Sequence, residues 1–250
     1  MDLNENNLRE IEGLSQRGQT LSIVDLIKAN TLNIDMAAYA LYAISKGASF
    51  LTAARPGNAG KTTLLACLLA FLPPEVQIVT ISDPSIIKTI TPGKNLCILC
   101  HEIGSGHWYG YLWGKYVGQL FELMGYGCQI ASCIHADTLP EMRNILVSKE
   151  LGVSDDNFSR LGLILFMRLQ REAIGYKRRV ATFYENNHDT GTHEKIFSYE
   201  ESSDTFKPNN RIHAENDIRK CKAFIESIME NTDFRWVRQQ VLDFYRNSLT

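Results

Sequence analysis

The chain has 250 residues, of which 44% are hydrophobic and 22% are charged. This composition can form a sizeable core and is not that of a disordered protein. The length fits one large domain, or one domain with an appendage. The formal net charge is only −2, from 26 basic and 28 acidic residues. A charge so close to neutral argues against a protein that binds nucleic acid mainly by electrostatic attraction.

No segment has the features of an export signal or of a membrane span. The first residues, MDLNENNLREIEG, lack the basic and apolar regions of a secretory signal. The longest apolar run covers residues 64–72, far fewer than the roughly 20 residues that cross a bilayer. We therefore expect a cytoplasmic protein without a transmembrane segment, or one that lies peripherally at the inner face of the membrane.

Helices and strands alternate in the first part of the chain after a polar segment, residues 1–18, that is helical in part. The predicted helices cover residues 21–27, 36–44, 61–72, 107–124 and 140–151, and the predicted strands cover residues 49–54, 76–81, 96–100 and 128–134. Asp35 is a candidate N-cap. Gly110, Gly114 and Gly118 recur every four residues, which favours close packing of the predicted helix 107–124 on a sheet. The alternation implies a parallel sheet that is covered on both faces.

The pattern changes after Thr138. Three strand candidates, residues 161–169, 178–184 and 195–199, are joined by short polar turns and are predicted to be antiparallel. Two amphipathic helices, at about 214–229 and 234–247, complete the chain. We expect three parts: a short helical segment over 1–47, an α/β core over 48–205, and C-terminal helices over 206–250.

The strongest motif lies between the predicted strand 49–54 and the helix that follows it. The pattern G-x-x-x-x-G-K-[ST] of a P-loop is matched at Gly60, Lys61 and Thr62, whereas Arg55 stands where the first glycine belongs. Small residues allow successive backbone N–H groups to surround a phosphate, the lysine reaches the β- and γ-phosphate oxygens, and the threonine hydroxyl holds Mg²⁺. The candidate nucleotide-binding residues are Gly57, Asn58, Ala59, Gly60, Lys61, Thr62 and Thr63.

Three other predicted strands are followed by polar side chains. The run 95–102 ends in Glu102, the run 76–83 ends in Asp83, and the run 128–134 is followed by His135. Carboxylates at the carboxyl ends of parallel strands face the ligand crevice beside the P-loop, where an acid can position or deprotonate an attacking water. Glu102 is therefore the candidate catalytic acid. His135 either contacts the γ-phosphate or simply precedes a helix that Asp137 or Thr138 caps.

The cysteines do not form a convincing metal or haem site. Residues 97–101 match the C-x-x-C-H pattern of haem attachment, but they lie in an apolar run that is typical of a buried strand. A zinc site made of Cys97, Cys100, Cys128 and Cys133 is equally unfavourable. Both pairs have odd separations, which point the thiols of one strand to opposite faces.

The ordered set of motifs resembles the secretion and pilus-assembly ATPases of the type II/type IV traffic family. The P-loop corresponds to that family's Walker A loop, residues 82–84 to its Asp box, Glu102 to its Walker B acid, and residues 132–137 to its His box. The resemblance extends over residues 20–205. It includes Met167–Arg171 and Gly175–Glu185, which are similar to the family's arginine-bearing hairpin.

The chain also departs from the family pattern. Arg55 replaces a P-loop glycine, Ser82 stands where the Asp box usually opens with glutamate, Gly104 replaces an arginine, and Cys128 replaces the first histidine of the His box. We also expect the family's N-terminal domain to be absent or cut to a short helical segment.

The resemblance implies a RecA-like P-loop fold and a motor that couples Mg-dependent ATP hydrolysis to protein export or pilus assembly. It implies ATP and Mg²⁺ as cofactors, with Mg²⁺ held by Thr62, and a homohexamer that works with inner-membrane secretion or pilus machinery. Glu102 would position water, Asp83 would assist near the metal, and His135 would contact the γ-phosphate. An alternative is a nucleotide-binding regulatory or assembly protein with little hydrolysis.

A basic cluster lies on the predicted hairpin, at Arg168, Arg171, Lys177, Arg178 and Arg179. It is either a solvated hairpin face or a phosphate contact. The resemblance favours an arginine that reaches the nucleotide of a neighbouring subunit, and Arg171 is our candidate for this role. A protein that acts on nucleic acid is a weaker alternative, because it is supported by this cluster only, and we expect no direct nucleic-acid partner.

Overall fold

The structure is a computed structural model that describes residues 2–15, 18–187, 189–209 and 215–248. Its α-helices are α1 Leu3–Glu12, α2 Ile23–Lys28, α3 Ile34–Ser45, α4 Lys61–Leu69, α5 Lys115–Glu122, α6 Leu139–Leu146, α7 Asp155–Ser159, α8 Glu215–Ser227 and α9 Phe234–Ser248. Its strands are β1 Phe50–Ala53, β2 Gln77–Thr80, β3 Leu96–Ile103, β4 Tyr111–Leu112, β5 Gln129–Ile134, β6 Leu163–Arg171, β7 Tyr176–Asn187, β8 Thr192–Glu200 and β9 Thr205–Pro208. Short 3₁₀ helices cover Pro84–Thr89 and Leu123–Tyr126.

The described strands form a single sheet. Its order is β2-β3-β5-β1-β6-β7-β8-β9, with β4 beside β3. The pairs from β2 to β6 are parallel, whereas β6, β7, β8 and β9 pair in antiparallel fashion. The predicted α/β fold class is therefore confirmed: a mostly parallel central sheet, a C-terminal antiparallel hairpin and a helical tail.

Both faces of the sheet are covered by helices. One core contains apolar side chains of α1–α4, α8 and α9, and the other contains those of α5, α6 and α7. Strands β1 and β5 are buried at every position, which explains why they are continuous apolar runs rather than alternating ones. None of the helices in the described part of the chain is both long and apolar enough to cross a bilayer.

The prediction of one helix over 107–124 is wrong in its first half. Residues 107–110 form a loop, β4 follows, and the helix begins only at Lys115. Gly110 and Gly114 have φ angles of +77° and +70°, which an α-helix does not contain. Only Gly118 lies in the helix, and there it does pack closely: an added Cβ would lie 2.7 Å from the carbonyl oxygen of Gly152.

Several predicted boundaries also differ from the structure. The N-cap of α3 is Asn33, whose Oδ1 accepts a hydrogen bond from the Met36 N–H at 2.9 Å, and not Asp35. The predicted helix 140–151 ends at Leu146, and the predicted strand 96–100 continues to Ile103. Strand β9 and the short helix α7 were not predicted, and residues 1, 16–17 and 214 of the predicted segments lie outside the described residues. The division of the chain near residues 47 and 205 stays a prediction.

Side chains of the C-terminal helix α9 form hydrogen bonds with the carbonyls at the end of α4, the helix that begins after the glycine loop. Arg238 is only 1% exposed, and its guanidinium donates to the carbonyls of Ala70 (2.9 Å) and Leu72. Tyr245 donates to the Phe71 carbonyl at 2.6 Å. Burial lowers the pKa of Arg238 to about 10, still far above neutral pH. These bonds satisfy carbonyls that would otherwise be unpaired at a helix end.

We predict that Arg238→Ala lowers the free energy of unfolding by about 2–4 kcal/mol, because buried carbonyls lose their donors and a cavity remains. The matched control is Arg235→Ala on the same helix. Arg235 is half exposed and pairs with Glu5 and Glu12, so its loss should cost at most about 1 kcal/mol. Urea unfolding of both variants tests this, and equal losses would contradict it.

Candidate functional site

The loop between β1 and α4 has the backbone of a phosphate cradle. Asn58 and Gly60 have φ angles of +60° and +95°, and Gly60 precedes the first turn of α4. An added Cβ at Gly60 would lie 3.2 Å from Met167 Cε and 3.3 Å from Arg178 Cδ, so both side chains would have to move slightly to admit it. Left-handed positions curl the backbone so that its N–H groups can converge on an anion at the helix N-terminus.

Lys61 places a buried cation beside this loop. Its side chain is 6% exposed, its ammonium donates to the Ala54 carbonyl at 3.1 Å, and Nζ lies 3.4 Å from His135 Nδ1. No ion pair among the described residues neutralises it. A buried charge without a carboxylate partner is costly unless a ligand supplies the counter-charge. The residues present therefore fit an anion such as a phosphate.

Glu102 reaches the same place because β3 contains a bulge. Cys100 pairs with Ser132 and Ile103 with Ile134, so β3 has one residue more than β5 between these pairs. Cys100 and Ile103 consequently face the same core although they are three residues apart. The extra residue reverses the alternation of side chains and turns Glu102 towards the face that α4 covers.

His135 connects Glu102 to the P-loop. Its Nε2 lies 2.7 Å from Glu102 Oε1, and its Nδ1 lies 2.8 Å from the Arg55 carbonyl oxygen. The Glu102 carboxylate accepts from Nε2–H, whereas Nδ1 lies near both the Arg55 carbonyl oxygen and the Lys61 ammonium, so its role as donor or acceptor depends on the tautomer. The ends of β1, β5 and β3 thus bring Lys61, His135 and Glu102 together at one edge of the sheet, as expected for parallel strands.

These three residues line a cavity of about 1030 Å³, which is at the upper end of the range for small-molecule sites. All seven candidate residues from Gly57 to Thr63 also line it. Other lining residues come from the segment 19–31 and from the hairpin of β6 and β7. The cavity is therefore long enough to extend well beyond the P-loop.

The basic cluster of the hairpin is divided among different partners. Arg179 and Lys177 both bind Asp204, at 2.8 Å and 2.9 Å, and these bonds hold the pKa of Asp204 well below its usual range, with Arg179 as the main cause. Arg168 pairs with Glu201 at 2.8 Å.

The two remaining arginines of this cluster differ in position. Arg178 donates from Nε to the Asn58 carbonyl at 2.9 Å and lines the cavity. Arg171 is exposed, does not line the cavity, and forms no ion pair with any residue that the structure describes. Arg178 is thus the arginine next to the P-loop of its own chain, and sequence reasoning had no means of separating it from its neighbours.

Asp83 lies apart from this site. Its carboxylate caps the 3₁₀ helix Pro84–Thr89 by accepting from the Ser85 N–H at 2.8 Å. The Ser85 side chain, and then this backbone N–H, lower the pKa of Asp83 by hydrogen bonding. Asp83 is exposed and is not among the residues that line the cavity. Its predicted role near a metal stays a prediction.

Thr62 lines the cavity and can offer a hydroxyl ligand. Among the described residues, no three His, Cys, Asp or Glu side chains are grouped so that they could hold a metal ion. A Mg²⁺ ion at Thr62 would therefore take most of its ligands from phosphate oxygens and water, which is the coordination that Mg²⁺ usually has beside nucleotides.

Comparisons with known proteins give distant structural similarity only. No family model matches the chain, and no curated protein matches it. The ATPase DotB of Legionella pneumophila aligns with 81% of this chain and 59% of its own, at 11% identity and a TM-score of 0.40. The ATPase DotB of Yersinia pseudotuberculosis aligns with 81% and 60%, at 11% identity and a TM-score of 0.44. The chain spans about three fifths of the length of these two proteins.

The strand cysteines face opposite sides of the sheet, as the odd spacing predicts. Cys97 and Cys133 lie in the core under α1–α4, whereas Cys100 and Cys128 lie in the other core. All six cysteines are buried free thiols. Burial raises the pKa of Cys100 to about 12 and raises that of Cys97 further, so the reactive thiolate is disfavoured.

We predict that the native protein at pH 8 reacts slowly with a thiol reagent, whereas all six cysteines react in denaturant. The purified protein should show no Soret absorbance and no stoichiometric zinc. Thiol titration, absorbance and metal analysis measure these properties. One zinc ion per chain would overturn the assignment of these cysteines to the core.

Proposed function

We propose that this chain binds MgATP and hydrolyses it. The observation that supports this best is the convergence of Lys61, Glu102 and His135 on one cavity beside a left-handed glycine loop. A buried cation that can meet a phosphoryl group and a buried carboxylate that can orient the attacking water are the two groups that such a reaction needs, which supports the proposal.

The P-loop residues would hold the nucleotide. The backbone N–H groups from Gly57 to Gly60 and the ammonium of Lys61 would bind the phosphates, and Thr62 would bind Mg²⁺. The metal ion, when bound, neutralises charge on the phosphate oxygens. Lys61 donates to the Ala54 carbonyl in this structure, so phosphate binding would exchange a neutral acceptor for an anionic one.

Glu102 would orient the attacking water and accept its proton. One of its carboxylate oxygens already accepts from His135, and the carboxylate keeps further lone pairs for a water molecule. His135 would hold Glu102 in place, and its contact with the Arg55 carbonyl would link that carboxylate to the P-loop. Two arginines remain as candidates for the additional cation that phosphoryl transfer needs: Arg178 within the chain and Arg171 from a neighbouring copy.

We further propose that hydrolysis is coupled to protein export or pilus assembly, in a homohexamer that works at the cytoplasmic side of inner-membrane machinery. The support is the ordered resemblance of the Walker A, Asp box, Walker B and His box residues to the traffic ATPases. Direct binding of nucleic acid is not part of this proposal. Three of the five basic hairpin residues pair with Asp204 or Glu201, which leaves little free charge for a phosphate backbone.

The second candidate is a nucleotide-binding regulatory or assembly protein with little hydrolysis. The position of Asp83 outside the cavity favours it, as does the hydrogen bond that already occupies Glu102. Steady-state phosphate release, measured together with nucleotide affinity for the wild type and Glu102→Gln, separates the two candidates. Binding without a Glu102-dependent release of phosphate would support the regulatory role.

We predict that MgATP at about 100 times its dissociation constant adds about 2.7 kcal/mol to the free energy of unfolding. Lys61→Ala should remove this gain, because the buried cation that meets the phosphates is lost. Thermal unfolding with and without MgATP measures the effect, and Arg143→Ala, at a surface ion pair of α6, is the matched control. An equal gain in Lys61→Ala would exclude the phosphate site.

We predict that Arg171 acts across a subunit boundary, whereas Arg178 acts within its own chain. Mixing Glu102→Gln chains with Arg171→Ala chains should restore hydrolysis, since about one quarter of the interfaces in a random 1:1 ring carry both intact groups. Mixing Glu102→Gln with Arg178→Ala should restore none, because no chain then has a complete site. Phosphate release against protein concentration measures both.

Two results would contradict the prediction that Arg171 acts across a subunit boundary. If mixed oligomers form but neither mixture recovers activity, Arg171 does not serve a neighbour. If Arg171→Ala alone retains full activity at every protein concentration, the residue has no role in hydrolysis.

A further inference from the structure

Arg55 is the most evident departure from the P-loop pattern, yet the structure gives it a set of specific contacts. Its guanidinium pairs with Glu141, and Nε lies 3.8 Å from Asp137 Oδ2. Its backbone N–H donates to Asp137 Oδ1 at 2.7 Å. Its carbonyl oxygen lies 2.8 Å from His135 Nδ1. Every polar part of this residue therefore contacts the segment that follows β5.

The Glu141 carboxylate has a partner besides Arg55. Glu141 accepts from the Asp137 N–H at 2.9 Å, and Thr138 caps α6 by accepting from the Glu141 N–H. The hydrogen bond from the Asp137 N–H is the main cause that holds the pKa of Glu141 below its usual value, and the bond from Arg55 is the next. Arg55, Asp137 and Glu141 thus form a closed cluster, which we call the Arg55 clamp, between the start of the P-loop and the turn that carries His135.

We propose that Arg55 is a positioning residue, which acts through Asp137 and Glu141 to hold His135 against Glu102 and Lys61. Arg55 is accommodated without backbone strain, because it is not among the described non-glycine residues with positive φ. A glycine at this position would keep the two backbone contacts but would lose the guanidinium. The inference rests on the proposed function where it concerns hydrolysis, but the position of His135 can be measured without nucleotide.

The clamp does not act mainly through stability. The Arg55 side chain is 69% exposed and that of Asp137 is 47% exposed, although Glu141 is exposed only to 25%, and ion pairs with so exposed a partner contribute little to folding. What the clamp supplies is geometry: His135 contributes one nitrogen to the P-loop carbonyl and the other to Glu102. A small displacement of such a group can cost a large factor in rate while binding is retained.

The test uses Arg55→Gly, which restores the P-loop pattern, together with Arg55→Ala and the conservative Arg55→Lys. Arg143→Ala is the matched control, because Arg143 lies on α6 and forms an exposed ion pair with Asp155. The first measurement is the ¹⁵N resonances of the His135 ring in the nucleotide-free protein, assigned by their loss in His135→Ala. We expect them to shift in Arg55→Gly and Arg55→Ala, to shift less in Arg55→Lys, and to stay unchanged in Arg143→Ala.

The second measurement is kcat and KM in wild-type and His135→Ala backgrounds. We expect Arg55→Gly and Arg55→Ala to lower kcat by about 10- to 100-fold, with little change in KM and in the thermal midpoint. Neither should have a further effect in the His135→Ala background. A merely structural role would lower kcat in both backgrounds.

Two results would overturn the proposal. One is unchanged His135 resonances in Arg55→Ala. The other is a higher kcat in Arg55→Gly, which would mean that Arg55 slows hydrolysis instead of supporting it. If the wild type does not hydrolyse ATP, that result contradicts the proposed function, and the resonances alone decide on the clamp.

Discussion

The buried ammonium of Lys61 is the constraint around which the site is arranged. An ammonium taken out of water loses several kcal/mol of hydration energy, which only charged or well-oriented polar partners can replace. Here the protein supplies one carbonyl at 3.1 Å and a histidine nitrogen at 3.4 Å, and no described carboxylate. The cation is therefore held in place but incompletely compensated. An anion that enters the cavity can supply the missing counter-charge. Such a site therefore favours the anion-bound protein over the empty protein.

Glu102 is placed so that it does not neutralise the charge of Lys61. A carboxylate in contact with Lys61 would neutralise it and close the site. Instead Glu102 pairs with His135 at 2.7 Å, and the histidine lies between the two charges. This arrangement depends on the bulge in β3. Without it Glu102 would follow the alternation of Cys100 and face the core under α5, on the wrong side of the sheet.

The helical tail and the hairpin support the P-loop from two directions. Arg238 and Tyr245 of α9 bind the carbonyls at the end of α4, which fixes the helix that starts at Lys61. Arg178 of β7 binds the Asn58 carbonyl over the loop itself. The Arg55 clamp holds the loop at its other end. Contacts from distant parts of the chain thus restrain the irregular backbone of the loop between β1 and α4. A loop that is to bind phosphate needs such restraint in order to be preorganised.

The amino-acid sequence by itself determined the alternation of strands and helices, the P-loop and the side chains at the strand ends. These features depend on local periodicity and on neighbouring residue types, which are read along the chain. The sequence also indicated that Lys61, Glu102 and His135 lie close together, because the carboxyl ends of parallel strands lie on the same side of a sheet.

The tertiary structure alone decided the rest. The predicted helix over 107–124 failed at Gly110 and Gly114, whose left-handed backbone belongs to the loop before β4 and the turn after it. Asp137 and Asn58, the partners of Arg55 and Arg178, are 82 and 120 residues away. Asp204, the partner of Arg179, is 25 residues away in the turn before β9. The bulge at Glu102 exists only through the register of β3 against β5. Such choices depend on contacts between distant segments, and no local pattern of residues encodes which of several similar side chains will meet a given partner.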